Sequence, residues 1–487
     1  MSSSDGAGRR GGGMVRGAFH LGLGQATTTV LTIFLYAALG RSLSKADFGL
    51  LYLLSAIATF AYVVVDWGHG QFIIRETARH PEKSGDLFGS ALALRSVVAL
   101  LACVAAVIVT WLLGYDVSTR VLSAALILAW LPQYLGLSFG WVFRGHELMD
   151  RDALLNVTCK LATLIFSIGC FALGGGLPGL MLAWLAAGCL TLAMGIAMYR
   201  KLRLPTLTAT RSTARLLLRD SAPMFTLSLA VAVEPFFNAN ILYKMASPDA
   251  IAAYAAAWRI GGTLLAPATV LAATMYPRLS AAAGNDVEFR RAFEISFRPM
   301  LLMAVLGAVG TYLFADITVA LIYGLQKFGP AVDILRAFSL VLLLMYVDMF
   351  LANAIFASGR AGGLARAKVA SVVVTTGLVF VLVPVCQARF GNGGLGAMYA
   401  MVIGELLMLI AEGILIRQAV DSHAIGDIFR SLAAGAATVL LFRLLPAFTP
   451  FLGIPLCVVV FLGLSFLAGA VKRSDLLLLR QLRGRRA

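Results

Sequence analysis

The sequence predicts an all-α polytopic membrane protein with about fourteen transmembrane helices, arranged as two six-helix lobes and two additional C-terminal helices. The 487 residues are 60% hydrophobic and only 13% charged, and the mean hydropathy is +0.87. A water-soluble chain of this length needs a far more polar surface. The apolar residues form runs of about 20, which is the length of a helix that crosses a bilayer. The basic residues concentrate between these runs, as they do in membrane proteins.

Fourteen apolar runs define the predicted spans, whose ends are approximate. They cover residues 17–40, 48–66, 88–113, 120–143, 153–173, 177–199, 221–243, 251–275, 297–315, 333–357, 367–388, 394–416, 428–448 and 451–471. Residues 315–332 are apolar in part and predict a re-entrant or interfacial segment. Residues 1–16 are Ser/Gly-rich and basic, which predicts a disordered cytoplasmic tail.

The distribution of Lys and Arg predicts that both termini lie in the cytoplasm. In this orientation, when residues at the ends of spans are counted with the adjoining connections, 29 of the 40 basic residues lie in cytoplasmic connections or tails, 7 lie outside and 4 lie within spans. Cytoplasmic loops of membrane proteins carry such an excess of positive charge. An even number of crossings follows, with the N-terminus and the C-terminus both inside.

The longest charged connection divides the first twelve spans into two halves. The predicted order is an N-lobe, a cytoplasmic linker, a C-lobe, two additional helices and a basic cytoplasmic tail, at 17–199, 200–220, 221–416, 417–471 and 472–487. The tail is expected at the membrane interface because basic segments bind anionic lipid surfaces.

Weak internal similarity supports two related lobes. GLPGLMLAWLA at 176–186 resembles GGLGAMYAMVI at 393–403, and SKADFGLLY at 44–52 resembles SPDAIAAY at 247–254. Both pairs are offset by roughly 200–220 residues with the same orientation, which indicates halves related by an axis along the membrane normal. A substrate path is then expected between the two halves.

Several function classes are excluded by the motifs. The net charge of +16 does not indicate nucleic-acid binding, because the basic residues lie in short loops between apolar spans. The six cysteines form no CxxC and the five histidines no HExxH, so we expect no metal site. Two GxGxxG matches do not follow strands, and no Walker motif occurs, so we expect neither a cofactor nor a built-in ATPase.

Ionisable residues within the spans are the candidate functional residues, because a charge in a bilayer must find a partner or line a wet cavity. The first half carries Asp66, Arg95, Arg144 and Lys160, and the second carries Glu234, Arg259, Asp348, Glu405 and Glu412. Two interpretations remain open for each residue. It forms a structural pair, such as Asp66 with Arg75 or Arg95, or it lines a transport path.

The depth of these residues suggests separate roles. Arg95, Arg144 and Lys160 lie in the cytoplasmic half of the first lobe, where cations can bind an anionic head group such as a diphosphate. Arg259, nearer the middle of the membrane, is assigned to the same head-group cavity. Acidic residues at that depth can carry protons or cations, so gating or ion coupling is assigned to a second set, namely Asp66, Glu234, Asp348 and Glu405.

The chain resembles the polysaccharide-unit (Wzx-type) flippases of the multidrug/oligosaccharidyl-lipid/polysaccharide (MOP) exporter superfamily. The resemblance covers nearly the whole chain and rests on LGRSLSKADFGLLYLLSAIA at 39–58, VVVDWGHGQFIIRETAR at 63–79, FRGHE at 143–147, AAYAAAWRI at 252–260, YPRLS at 276–280 and GGLGAMYAMVIGE at 393–405. It implies a V-shaped transporter of the bacterial inner membrane. Such a transporter flips undecaprenyl-diphosphate-linked oligosaccharides to the outer leaflet by alternating access.

The resemblance also bears on the ion-coupling residues. Members of the family often carry an acidic residue near the outer half of the seventh span. This chain has Asn238 and Asn240 there, with Glu234 one turn earlier, so Asn238 joins the gating or ion-coupling set. The carboxylate that multidrug members carry in the first span has no counterpart, since residues 17–40 contain no acid.

Two alternatives to the flippase remain. One is a MATE-like drug/cation antiporter, which the excess of basic residues in the first lobe disfavours. The other is a membrane polysaccharide polymerase or ligase, which usually needs a large outer loop that this chain lacks. We therefore expect no enzymatic activity. The expected partners are a lipid-linked oligosaccharide, a polysaccharide polymerase of the same assembly pathway, and protons or Na⁺ as coupling ion.

Overall fold

The computed structural model describes residues 5–419, 422–444 and 450–471, and the described chain is almost entirely α-helical. Its helices are Asp5–Ser42 (α1), Lys45–Asp66 (α2), His69–Arg79 (α3), Ser84–Leu112 (α4), Val117–Gly145 (α5), Met149–Ala172 (α6), Gly176–Lys201 (α7), Arg211–Met245 (α8), Pro248–Leu264 (α9), Ala266–Ala282 (α10), Asp286–Leu313 (α11), Ala315–Ile322 (α12), Leu325–Phe328 (α13), Ala331–Ala357 (α14), Ala361–Phe390 (α15), Gly393–Leu415 (α16), Ser422–Leu444 (α17) and Pro450–Leu467 (α18). The polytopic all-α fold is therefore confirmed.

Thirteen helical stretches within the described residues are long and apolar enough to span a membrane. They coincide with the first thirteen predicted spans. The fourteenth, α18, is an apolar helix of only 18 residues. Between the ninth and tenth spans, residues 315–332 contain α12 and α13, which at 8 and 4 residues are too short to cross a bilayer.

The first helix begins earlier than predicted. It starts at Asp5, whereas the sequence placed a disordered tail over 1–16. Residues 5–16 contain no proline. The tail predicted at 472–487 lies outside the described residues.

The chain forms two compact units, Met1–Asn240 (unit 1) and Ile241–Ala487 (unit 2). This boundary lies within α8, beyond the linker predicted at 200–220. The reason is that α8 packs on unit 1: Trp67 Nε1 donates to the Leu218 carbonyl oxygen at 3.0 Å, and the Trp67 ring stacks on Phe225 at 3.9 Å. Most of the seventh span therefore belongs to the first unit.

The segment before α8 also packs on unit 1. The Thr208 amide donates to the Gly85 carbonyl oxygen at 3.4 Å, and the Thr210 amide donates to Ser90 Oγ at 3.1 Å. A Cβ at Gly85 would collide with the Thr206 carbonyl oxygen, so this close approach needs glycine. The predicted linker is thus partly a packed element of unit 1.

In unit 2, α14 is the central helix and contacts α9, α10, α11, α15 and α16. Helix α17 packs on α11, and α18 packs on both α17 and α11. A buried ion pair holds α17 in place, because Arg298 Nε and Nη2 both donate to Asp427 Oδ2 at 2.9 Å. The two additional helices are therefore attached to unit 2 through α11.

The predicted eighth span is broken into α9 and α10. Leu265 separates them, and a proline in the first turn of α10 cannot supply a backbone N–H. The Tyr346 hydroxyl donates to the Leu264 carbonyl oxygen at 2.6 Å and satisfies an acceptor at the break. The paired segments noted in the sequence also begin alike, since Ser44 caps α2 and Ser247 caps α9 through their side chains.

Candidate functional site

An ion pair between α2 and α4 lies in the interior of unit 1. Arg95 is 1% exposed, and its Nη1 donates to Asp66 Oδ1 at 2.8 Å. The guanidinium also lies over the Trp141 ring, 4.6 Å from its centroid. Asp66 therefore pairs with Arg95, whereas Arg75 contacts Glu76. The Asp66 side chain is 38% exposed, so the carboxylate of this pair is accessible and the guanidinium of Arg95 is not.

The chain turns after Asp66, between α2 and α3, and His69 in the first turn of α3 is buried. Trp67 and Gly68 both adopt left-handed backbone conformations, with φ of 46° and 72°. A left-handed aromatic residue is uncommon and is held here by the stacking of Trp67 on α8. His69 is fully buried, and no described group forms a hydrogen bond with either ring nitrogen. Sequence reasoning missed His69, although its position three residues after Asp66 was the available signal.

A second ion pair holds Arg144 at the end of α5. Its Nε lies 2.8 Å from Asp152 Oδ2, and the side-chain exposures are 37% for Arg144 and 3% for Asp152. Asn156 Nδ2 also donates to Asp152 Oδ1 at 3.0 Å. A Cβ at Gly140 would collide with the same carboxylate. The buried Asp152 was not singled out in the sequence, and it fixes Arg144 while leaving part of the guanidinium accessible.

The remaining cations predicted for the head group differ in placement. Lys160 is half-buried on α6, in the same unit as Arg95 and Arg144. Arg259 is half-buried on α9, which belongs to unit 2, and follows Trp258, whose ring stacks with Tyr254. Unit 1 thus carries three of the four predicted cations, and two of these are partly exposed.

The polar residues of α8 lie in unit 1 rather than in the second half. Asn238 and Asn240 are 3% and 6% exposed, and the Tyr115 hydroxyl donates to Asn240 Oδ1 at 2.8 Å. Asn238 Oδ1 is buried and accepts no hydrogen bond from a described residue. Glu234, one turn earlier, is half-buried. Asn238, which the sequence assigned to ion coupling, therefore has a buried side-chain oxygen that can accept a hydrogen bond.

Unit 2 contains an acidic cluster formed by Asp348 on α14, Glu405 and Glu412 on α16, and Lys368 on α15. Lys368 Nζ lies 3.8 Å from Glu405 Oε1. The carboxyl groups of Asp348 and Glu412 are within hydrogen-bonding reach of each other. Glu412 is fully buried. Asp348 and Glu405, both assigned to gating or ion coupling from the sequence, belong to this cluster, whereas Lys368 was overlooked because it falls at the edge of a predicted span.

His146 lies in the connection between α5 and α6. His146 Nε2 is 3.3 Å from Ser84 Oγ, and partial burial lowers the pKa of this imidazole below its ordinary value of 6.5. No group of three or more His, Cys, Asp or Glu side chains among the described residues is arranged to hold a metal ion.

Comparison with known proteins gives a family and a fold. The model of the family described as "Polysaccharide biosynthesis protein" matches residues 14–283, more than half of the 487-residue chain. No curated protein matches the chain significantly in sequence.

Solved structures of MOP-superfamily proteins share the fold. A lipid II flippase, MurJ, in an inward closed conformation superposes with a TM-score of 0.69 at 12% identity, covering 94% of this chain and 99% of the other. An inward-facing multidrug-resistance MATE transporter gives 0.61 at 17% identity, covering 80% and 95%. A MOP-superfamily transporter from Pyrococcus furiosus gives 0.55 at 17% identity, covering 84% and 95%. At these identities the likeness concerns the fold alone.

Proposed function

Because the chain belongs to the polysaccharide biosynthesis protein family, we propose that it flips undecaprenyl-diphosphate-linked oligosaccharide repeat units across the bacterial inner membrane. It would do so by alternating access, for the synthesis of exopolysaccharide, capsule or O-antigen. The orientation follows the basic loops, with both termini in the cytoplasm. A polysaccharide polymerase that uses the flipped unit is the expected neighbouring partner.

The observation that carries this proposal is the way in which Arg144 is held. Its guanidinium is 37% exposed, while the carboxylate that positions it is almost completely buried. Arginine binds phosphate oxygens through several fixed donors, and a preoriented guanidinium loses less freedom on binding. Lys160 adds a second, partly exposed cation in the same unit. A diphosphate is a head group that accessible cations of this kind suit.

The other candidate residues take different roles in this proposal. Arg95 is too deeply buried to meet a head group directly, so we assign to it the positioning of Asp66, the partly exposed gating residue. Arg259 is assigned to the head group from unit 2. Glu234, Asn238, Asp348 and Glu405 are assigned to gating or ion coupling.

Complementation of a deletion strain tests the proposal. Arg144→Ala and Lys160→Ala should each reduce surface polysaccharide and cause lipid-linked repeat units to accumulate in the inner leaflet. Loss of one charge-assisted hydrogen bond, about 1.5–3 kcal/mol, weakens binding roughly tenfold or more. The matched control is Arg151→Ala, since Arg151 lies in the first turn of α6, is 46% exposed and pairs with Asp150 on the surface. Full complementation by both variants would refute the head-group assignment.

A drug/cation antiporter is the second candidate, and the acidic cluster of unit 2 is the observation that favours it. Carboxylates within a membrane protein can bind cationic substrates or coupling ions. If deletion changed drug sensitivity and left the inner-leaflet pool of lipid-linked repeat units unchanged, the antiporter would replace the flippase.

A further inference from the structure

We propose that Asp348 and Glu412 share one buried proton, and that release and uptake of this proton is the coupling step of transport. The shared proton is a claim about a binding site and is argued from the residues of unit 2. The coupling step rests on the proposed function. The coupling ion is thereby named as a proton, and Glu412 joins the coupling residues.

The first argument is the hydrogen-bonding state of Glu412. Its side chain is 0% exposed, and neither carboxyl oxygen accepts a hydrogen bond from an N–H or O–H group of the described residues. Asp348 Oδ1 is likewise buried and without a donor among them. A buried carboxylate without donors is strongly disfavoured. Two facing carboxyl groups solve this together when one carries a proton and donates it to the other.

The second argument is the charge of the surroundings. The charged groups that face the pair are Lys368, from α15, and Glu405, from the same helix as Glu412. The ammonium of Lys368 also contacts Glu405 at 3.8 Å. Fully ionised, the cluster contains three carboxylates and one ammonium, a net charge of two negative units. One proton on the Asp348–Glu412 pair removes half of this excess.

A proton fits the site better than a metal ion. Sodium or calcium needs several converging oxygen ligands, and a nearby ammonium repels any metal cation. No described group of three acidic, histidine or cysteine side chains has the arrangement of a metal site, although three of the cluster's members are carboxylates. A carboxyl pair, in contrast, binds a proton with only two oxygen atoms.

Release of the proton would also change how two helices of unit 2, α15 and α16, pack on each other. On release, an O–H bond of the pair breaks, the proton passes to water and both carboxylates become charged. Lys368 is then attracted towards Asp348 and Glu412 as well as Glu405. Its helix, α15, packs closely on α16, where Ser371 Oγ donates to the Gly404 carbonyl oxygen at 3.0 Å, one residue before Glu405. A movement of Lys368 would therefore alter the contact between α15 and α16.

Infrared difference spectroscopy of the purified full-length protein in lipid nanodiscs tests the proton site without any transport assay. The carbonyl stretch of a protonated carboxyl group should be present at neutral pH and should disappear in both Glu412→Gln and Asp348→Asn. Glu288→Gln, which removes an exposed carboxyl group from the first turn of α11 of the same unit, should retain the band. Gel filtration and thermal unfolding establish that each variant is folded.

The outcomes separate the two halves of the proposal. A band that survives in both site variants, or that responds to sodium instead of pH, overturns the shared proton. If the band is lost but Glu412→Gln transports repeat units with unchanged dependence on the pH gradient, the coupling step is refuted and the flippase assignment stands. If the band behaves as expected but deletion leaves lipid-linked repeat units unaffected, the proposed function fails and the proton site is upheld.

Discussion

The ion pairs of unit 1 and the acidic cluster of unit 2 balance their buried charges differently. In unit 1, Arg95 pairs with Asp66 and Arg144 pairs with Asp152, one cation to one anion. In the acidic cluster of unit 2, a single ammonium faces three carboxyl groups. A matched pair with good geometry fixes two helices in one arrangement, whereas an unmatched cluster changes its charge by binding or releasing an ion. The difference teaches that a matched ion pair is suited to hold a geometry, as Arg298 and Asp427 also do in unit 2, and that the unmatched acidic cluster is suited to change its charge.

The largest expected effect comes from breaking the matched pair of unit 1. Asp66→Ala leaves the guanidinium of Arg95 buried opposite an apolar side chain and should lower the free energy of unfolding by about 3–5 kcal/mol. The measurement is thermal or denaturant unfolding of the purified protein in detergent. The double variant Asp66→Leu/Arg95→Met should recover most of this loss, because no uncompensated charge remains. A double variant as unstable as Asp66→Ala would contradict the role of the pair.

The next effect concerns the close helix contacts beside each charge site. Gly404→Ala would place a methyl group against Thr375 Oγ1, and Gly140→Ala would place one against Asp152 Oδ1. Each should destabilise its unit by about 1–3 kcal/mol, the usual cost of overpacking. Gly413→Ala and Gly169→Ala are matched controls on α16 and α6, since a Cβ there meets no atom within 4 Å. Equal unfolding midpoints for glycine variants and controls would show that these contacts are not tight.

A smaller effect of opposite sign is expected in unit 2. Glu412→Gln removes one of the crowded carboxyl groups and keeps its shape, so the free energy of unfolding should stay constant or rise by up to about 1 kcal/mol. Glu405→Gln weakens the contact with Lys368 and should lower the free energy of unfolding. Both expectations are checked by the unfolding measurements described for Asp66→Ala. A strong destabilisation by Glu412→Gln would show that the cluster is as well matched as the pairs of unit 1.

The smallest effect is a pH dependence from His146. Because burial lowers the pKa of this imidazole in the folded protein, the unfolded chain takes up its proton more readily. Stability should therefore decrease as the pH falls through the ordinary value of 6.5. His146→Gln should abolish this loss of stability, which is small because the imidazole is only partly buried. Unfolding profiles of the wild type and the variant that coincide at every pH would contradict the prediction.

The sequence was sufficient for the helices and insufficient for their partners. Apolar runs of the right length located the spans, because length and hydropathy alone decide whether a helix can cross a bilayer. The pairing of Asp66 with Arg95 was one of two possibilities, since sequence distance does not fix which helices are neighbours. The predicted linker at 200–220 and the boundary between the two compact units lie at different places, because charge marks a loop, whereas the stacking of Trp67 on α8 depends on tertiary packing.

The candidate site shows the same limit. Arg144 and Asp348 were recognised because a charge within an apolar span is conspicuous. Asp152 was not recognised, because it lies in the first turn of α6, where acidic residues are common since they interact favourably with the helix dipole. Glu412 was seen as charged but given no role. Its significance comes from complete burial beside a second carboxyl group, which only the three-dimensional arrangement reveals.

If α18 crosses the bilayer, its described length ties this protein to the thickness of its host membrane. Its 18 residues give a helix about 27 Å long, slightly less than the roughly 30 Å of a typical hydrocarbon core. Such a helix must stand nearly upright or draw the bilayer inward, at a cost of fractions of a kcal/mol per ångström. Lipids with shorter acyl chains relieve this mismatch at the edge of unit 2. Acyl-chain length in reconstituted vesicles therefore becomes a physical variable of the transporter, alongside pH and membrane potential.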